Sequence, residues 1–396
     1  MDISPAHDYI LVYAKNIPEH GFLLNSLPYD EARMTSYNNP DNDPRGPWAS
    51  VDITGQTGRA PKSQFYEITT PSGRKYFPPE GRCWAMAEST FLALYKDNRL
   101  WFGESGENRP RQKKFLSESE GQRPWTWWDN KFASYNQASN KELMKLFDGK
   151  LIFDNPKPVK LISRIIELAT VHNDANIILD FFAGSSTTAQ AVMEMNIKDS
   201  GNRRYICVQI PQELKDTGNS FKANNIAIEL GYKNICEIGK ERIRRAGRKI
   251  KEESPLTTQD LDIGFRVFKL DDSNMNDVYY SAGEYTQDLL TMLESNVKSD
   301  RTDLDLLFGC LLEWGLPLSM PYRSEKIEGC TVHTYNDGDL IACFDENIPD
   351  TVIKEIARRQ PLRAVFRDSS FNGSPAKINV GEIFKMLAPD TRVKVI

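Results

Sequence analysis

Apolar and polar positions fall into regular patterns over most of the chain, and one long interval breaks them. Residues 8–15 (DYILVYAK) are aromatic and β-branched and lie between Pro5 and Asn16, which predicts a strand. Residues 136–147 (NQASNKELMKLF) predict a helix, with Ser139 or Asn140 as its cap. Residues 161–168 (LISRIIEL) predict an amphipathic helix entered through Pro158. Ile177, Ile178 and Leu179 form an unbroken aliphatic run that ends on Asp180, the pattern of a buried parallel strand. A helix over 187–196, a second buried strand over 205–210 (YICVQI), and helices over 225–230 and 234–250 follow. A boundary falls near residues 252–255. Beyond it, 264–270 alternates like a strand, and helices are expected over 285–296 and 303–313. A hairpin is expected from 330–335 and 340–345 about Asn336-Asp337-Gly338-Asp339. A helix over 351–359, a strand over 362–367 and a helix over 380–387 complete a separate α/β module. From about residue 28 to 130 the rhythm is lost. Pro, Gly, Asn, Asp and Ser mark turns between short β-like pieces such as 66–70.

The strand, turn and helix around Asp180 form the kind of crevice in which open α/β sheets hold ligands. Neither GxGxxG nor a Walker Gly-Lys-Ser/Thr is present, and the turn holds no Lys or Arg, so a phosphate cradle is not indicated. Asp180 suits hydroxyls or amines, and Gly184 and Ser185 let the backbone approach a flat, uncharged body such as adenosine with an amino-acid tail. An ordinary turn without a ligand would look similar.

Residues 180–189, Asp-Phe-Phe-Ala-Gly-Ser-Ser-Thr-Thr-Ala, resemble the cofactor motif D-x-F-x-G-S-G-T-T-A of the amino-methylating DNA methyltransferases, and most of all the modification subunits of type III restriction–modification systems. The resemblance implies S-adenosylmethionine as cofactor, with Asp180, Phe182, Ala183, Gly184, Ser185, Thr187 and Thr188 in its site. Ser186 departs from the pattern, standing where the family has Gly. If the position needs positive φ, the side chain costs ~1–2 kcal/mol. Upstream, Phe153-Asp154-Asn155-Pro156-Lys157-Pro158-Val159 is similar to the family's second cofactor motif, which adds Phe153, Asp154, Lys157 and Pro158. Downstream, Val208-Gln209-Ile210-Pro211-Gln212-Glu213 is similar to V-Q-L-P-E. Gln212 fills the acid's place and Glu213 follows it, so either could meet a ribose.

The aperiodic interval holds every tryptophan except Trp314, interleaved with arginines and lysines. Aromatics beside cations suit bases and phosphates, and equally a loop-rich core with a solvated charged face. In the resembled family this interval recognises the DNA target, which makes Lys113, Lys114, Arg123, Trp127 and Trp128 candidates for contact with double-stranded DNA. Asp43-Pro44-Arg45-Gly46 reads as a turn. The basic run of Lys240, Arg242, Arg244, Arg245, Arg248 and Lys249 is either a phosphate-contacting helix or a solvated face.

Composition adds limits. The formal net charge is -5, so a nucleic-acid site must be a local patch. Six scattered cysteines without a CxxC pair and four dispersed histidines give no metal spacing and fit a reducing cytoplasm. No apolar run reaches transmembrane length.

The fold expected is α/β: an incomplete Rossmann-like methyltransferase sheet, an inserted loop-rich target-recognition region and a C-terminal α/β domain. The divisions are 1–27, 28–135, 136–252 and 253–396. The resemblance implies adenine-N6 methylation of DNA. It also implies an Asp-Pro-Pro-Tyr tetrapeptide that holds the target amine, and no Asp/Asn/Ser-Pro-Pro-aromatic run occurs in these residues. Catalytic residues are therefore none. The expectation is the C-terminal part of such an enzyme, inactive alone, with an open sheet edge. A homodimer or a partner chain carrying the tetrapeptide would complete it, and a restriction subunit is a further possible partner. The alternative is a non-catalytic DNA-binding and assembly subunit. A nucleotide-dependent oxidoreductase is disfavoured by the missing GxGxxG.

Overall fold

The aliphatic run at Ile177 forms a strand, Ile177–Asp180, paired in parallel with Arg204–Cys207 so that Asp180 stands opposite Cys207. The structure is a computed structural model that describes residues 7–17, 19, 24–58, 60–171, 174–216, 218, 222–259, 261–276, 297–371 and 373–396. The chain divides into two compact units, 1–264 and 265–396.

In the first unit, Ile178 and Tyr205 turn toward the helices Val159–Ala169 and Thr187–Asp199, joining Val159, Ile166, Ala191, Val192 and Met195 in a core. Among the described residues the opposite face of this sheet is uncovered: Ile177 is 55% exposed, Leu179 57% and Ile206 50%. A strand buried on both faces was expected, and only one face is covered. Residues 8–15 also depart from expectation. Among the described residues they pair with no strand, and Tyr9, Leu11, Val12 and Tyr13 face water. A β-prone sequence fixes a strand only where a ladder partner takes up its N–H and C=O groups.

The interval 28–130 holds its own core of Ile53, Ile68, Trp84, Phe91, Leu100 and Phe102. The same interval carries a small antiparallel sheet in which Arg111–Phe115 runs between Trp48–Asp52 and Leu100–Trp101. The helix Asn136–Leu146 begins as expected, but its N-cap is Tyr135. Ser139 instead donates to the carbonyls of Asn136 and Pro156. The basic helix runs Ile235–Glu253, capped by Asn234, whose side chain accepts from the Glu237 amide. Ile263 then folds back on Gly247, where a Cβ would meet it at 2.9 Å. The chain after the helix thus stays with the first unit.

The second unit is a five-stranded sheet in the order Tyr322–Ile327, Cys330–Tyr335, Leu340–Cys343, Arg363–Phe366, Arg392–Val395, the first three antiparallel and the last two added in parallel. Alternation sorts the strands. Ile341, Ala364 and Phe366 meet the helices Asp350–Arg358 and Ser374–Leu387 on one face, while Leu340, Ala342 and Val365 meet Asp303–Glu313 on the other. The hairpin turn uses positive φ at Asn336, Asp337 and Gly338. Residues 264–270 do not form the expected strand; Arg266 there donates to the carbonyls of Leu318 and Met320. The helix expected over 285–296 lies outside the described residues.

Candidate functional site

The turn after Asp180 is built by two left-handed residues, one on either side of Ser185. Gly184 has φ 50°, and Ser186 has φ 60°, ψ 40°, immediately before the helix at Thr187. The carboxylate of Asp180 accepts from the Thr188 hydroxyl at 2.6 Å and from the Phe182 amide at 3.3 Å, which ties the strand end to the first turn of the helix. The Gly184 amide donates to the Gln209 side chain at 2.7 Å, linking this strand end to the next. A Cβ on Gly184 would lie 3.4 Å from the Phe153 ring, so the glycine is also where the upstream motif presses in.

The two expected cofactor motifs therefore meet. Thr187 donates to the Lys157 carbonyl at 3.2 Å, and Ser139 donates to the Pro156 carbonyl at 2.5 Å, holding the Pro-Lys-Pro segment from both sides. Pro158 is buried, while Asp154 and Lys157 are exposed; the Lys157 ammonium pairs with Asp8 at 3.2 Å. Phe182 is exposed, whereas Ala183, Ser185, Thr187 and Thr188 are buried and shape the turn from within. Gln212 and Glu213 are both exposed and line one surface depression with Lys215 and Asn224. Cys207 stands opposite Asp180, and burial and then the Asp180 charge push its thiol up to about 12.

These residues fit S-adenosylmethionine in kind. The turn offers a glycine backbone against an aromatic ring, a strand-end carboxylate with acceptor capacity to spare, and an exposed ammonium. A phosphate would find an acid at the strand end instead of a basic cradle.

The target-recognition candidates separate. Lys113 is fully buried and is held by Asp41 and, at 3.1 Å, by Asp43. That corrects its assignment as a DNA contact, because its ammonium is spent on an internal ion pair. Asp43 also takes the Arg45 guanidinium at 2.9 Å, and the hydrogen bonds from Arg45 foremost hold its carboxyl well below the usual carboxylate range. Asp43-Pro44-Arg45-Gly46 is thus a turn with a structural ion cluster. Lys114 and Arg123 are exposed. Trp127 is 69% exposed and Trp128 half-buried, its indole N–H donating to the Trp125 carbonyl. Trp48 and Trp84 are core. The core reading therefore holds for Trp48 and Trp84, while Trp127 stands at the surface.

The charges of the Ile235–Glu253 helix are mostly taken up locally. Arg245 meets Asp148 and Glu241, Arg248 meets Glu241, and Lys249 meets Glu253. Arg242 is different: it is buried and points at the turn. It lies on the Ile238, Ile243, Ala246 stripe, so helical spacing carried the signal, although the surrounding basic run masked it.

In the second unit, Cys330, Cys343 and Asp345 bring ligand-type atoms within 4.8 Å of one another, which their spacing in sequence did not suggest. Asp345 is engaged by the Thr331 amide, and burial pushes both thiols up. Asp368, another strand-end acid, pairs with Lys377. Among the described residues no helix is long and apolar enough to cross a membrane.

Residues 2–220 match the model of the N6/N4 methyltransferase family, described as DNA methylases. The chain is 37% identical over 269 residues to the type III restriction-modification enzyme StyLTI Mod subunit of Salmonella typhimurium strain LT2, covering 68% of this chain and 38% of that protein. It is 29% identical to the EcoPI Mod subunit of Escherichia phage P1, covering 84% and 52%. It is 26% identical to the type II methyltransferase M.KpnI of Klebsiella pneumoniae, covering 60% and 56%. The chain spans about half the length, or less, of the curated relatives it matches.

Proposed function

The chain belongs to the DNA methylase family, and on that premise we propose that it is the cofactor-binding, target-recognising and assembly part of a type III modification enzyme, methylating adenine N6 in double-stranded DNA. The observation that carries this reading is the convergence of the two motifs, Thr187 on the Lys157 carbonyl and Gly184 against the Phe153 ring. When bound, S-adenosylmethionine would supply a methyl group on a sulfonium sulfur, an electrophile for an amine lone pair. Asp180, Gly184 and Lys157 bind and orient it, and Phe153 and Phe182 shield it from water, with Gln212 or Glu213 at the ribose. Residues 28–135 carry target recognition through Lys114, Arg123, Trp127 and Trp128, residues 136–252 the cofactor half, and residues 253–396 assembly.

The two outer edges of this two-stranded sheet, which take no further strand among the described residues, support a larger Rossmann-like sheet, whose further strands come from a segment or partner that also brings the Asp-Pro-Pro-Tyr tetrapeptide. An exocyclic adenine amine is a weak nucleophile, its lone pair delocalised into the ring. It needs that tetrapeptide to hold it and to stack the flipped base. The second reading, a non-catalytic DNA-binding and assembly subunit, is favoured by the tetrapeptide's absence from these residues.

Titration calorimetry of the full chain with S-adenosylmethionine tests the cofactor assignment. Binding is expected, and Asp180→Ala should weaken it by about tenfold or more, the effect of one lost charged hydrogen-bond acceptor. No heat at millimolar cofactor would end the cofactor reading.

A further inference from the structure

Arg242 sits where a guanidinium is costly. It is only 1% exposed, and among the described residues it forms no ion pair with a carboxylate. All its hydrogen bonds go to neutral oxygens: one Nη1 reaches both Ser185 Oγ and Thr187 Oγ1 at 2.7 Å, and Nε reaches Gln190 Oε1 at 3.0 Å. Gln190 passes the chain on, donating to the half-buried Glu194 at 2.9 Å. Burial pushes Arg242 down to about 10, with Glu142 and Glu194 opposing from farther off. It remains a cation at neutral pH.

The bonds it makes are specific in a second respect. Ser185 belongs to the left-handed turn, and Thr187 opens the following helix and donates to the Lys157 carbonyl. One side chain from a third element thus gathers the turn and the upstream motif. Its flat, forked donors fix the direction of both hydroxyls, and charge makes these bonds stronger than neutral ones. One helical turn earlier, Gly239 leaves room for Ser186, since a Cβ there would meet Ser186 Oγ at 2.6 Å. The helix therefore offers the turn a gap and a clasp on one face. Burying a guanidinium without a counter-charge costs the fold free energy, so the group is better explained by what it positions than by stability.

We propose that Arg242 is a positioning residue for the cofactor turn: sealed from ligand and solvent, it clasps Ser185 and Thr187, and through Thr187 the Lys157 carbonyl, so that S-adenosylmethionine affinity depends on a side chain that never touches the cofactor. This rests on the cofactor reading above. It removes Arg242 from any phosphate-contacting role.

The test uses the full chain with Arg242→Met and Arg242→Lys. S-adenosylmethionine affinity is read by calorimetry at a temperature where circular dichroism shows the fold intact, and amide exchange over residues 184–188 is read without ligand. Arg242→Met should lose about tenfold or more in affinity, as for one charge-assisted bond, and exchange faster at 184–188 while the second unit is unchanged. Arg242→Lys, which still reaches the hydroxyls and loses Gln190, should fall between it and the native chain. A folded Arg242→Met with native affinity and native exchange overturns the proposal. If Arg242→Met does not fold, Arg242→Lys decides by the same two readings. A native chain that gives no heat would overturn the cofactor reading, and the exchange measurement would then decide on the clasp alone.

Discussion

Ser186 is the residue at which local strain is most clearly traded for packing. A left-handed backbone costs a residue with a Cβ ~1–2 kcal/mol, and glycine returns ~0.5–1 kcal/mol of that as freedom in the unfolded chain. Ser186→Gly should therefore raise the thermal midpoint by an amount corresponding to ~0.5–1 kcal/mol and tighten cofactor binding if the strained turn flexes. The compensation lies across the contact, where Gly239 makes space for the hydroxyl. Gly239→Ala should destabilise the native chain and cost less in the Ser186→Gly background, so the double-mutant cycle should show coupling. Additive effects would mean that the 2.6 Å approach is relieved by a simple rotation of Ser186.

At the scale of elements, the Arg111–Phe115 strand shows how neighbours in sequence take opposite duties. Lys113 points inward to Asp41 and Asp43, and Lys114 points to water. Lys113→Met should cost ~3–5 kcal/mol by taking the buried cation from Asp41 and Asp43, whereas Lys114→Ala should leave the melting curve within ~0.5 kcal/mol. Only Lys114→Ala should weaken DNA binding while the fold persists, with a shallower salt dependence; a native DNA isotherm for it would remove Lys114 from the interface. This strand was not readable, lying in the interval where the rhythm is lost, and neither was the side that faces the core, because Asp41 and Asp43 come from a loop that no periodicity registers. The same division runs through the fold. The helices at 159, 187, 235, 303 and 350 follow from their apolar stripes, the strands at 177, 204 and 363 from their apolar runs, and those at 330 and 340 from the hairpin turn between them. Tyr322–Ile327 and Arg392–Val395, half polar and at the sheet's edges, carried too weak a pattern to be expected. Residues 8–15 and 264–270 had the pattern without a ladder partner. Of the site, the motif residues were legible as a line. That Arg242, Gly239 and Ser139 close around them was not, because those contacts come from other helices.

For the whole molecule, the feature that matters is a parallel pair of strands that, among the described residues, has helices on one side only. With no Asp-Pro-Pro-Tyr among its residues, the chain alone should transfer no methyl group to DNA. Adding a polypeptide that carries the tetrapeptide and its strands should restore transfer, read with tritium-labelled cofactor. Methylation by the isolated chain would mean that an unrecognised group holds the amine. The uncovered face also makes folding a matter of supply. A cover that binds only the folded chain adds ~1.4 kcal/mol of stability for each tenfold rise in its concentration above the dissociation constant. Chain made in excess of its cover is the fraction that proteases clear, so the amount of this protein in a cell would follow the amount of the other.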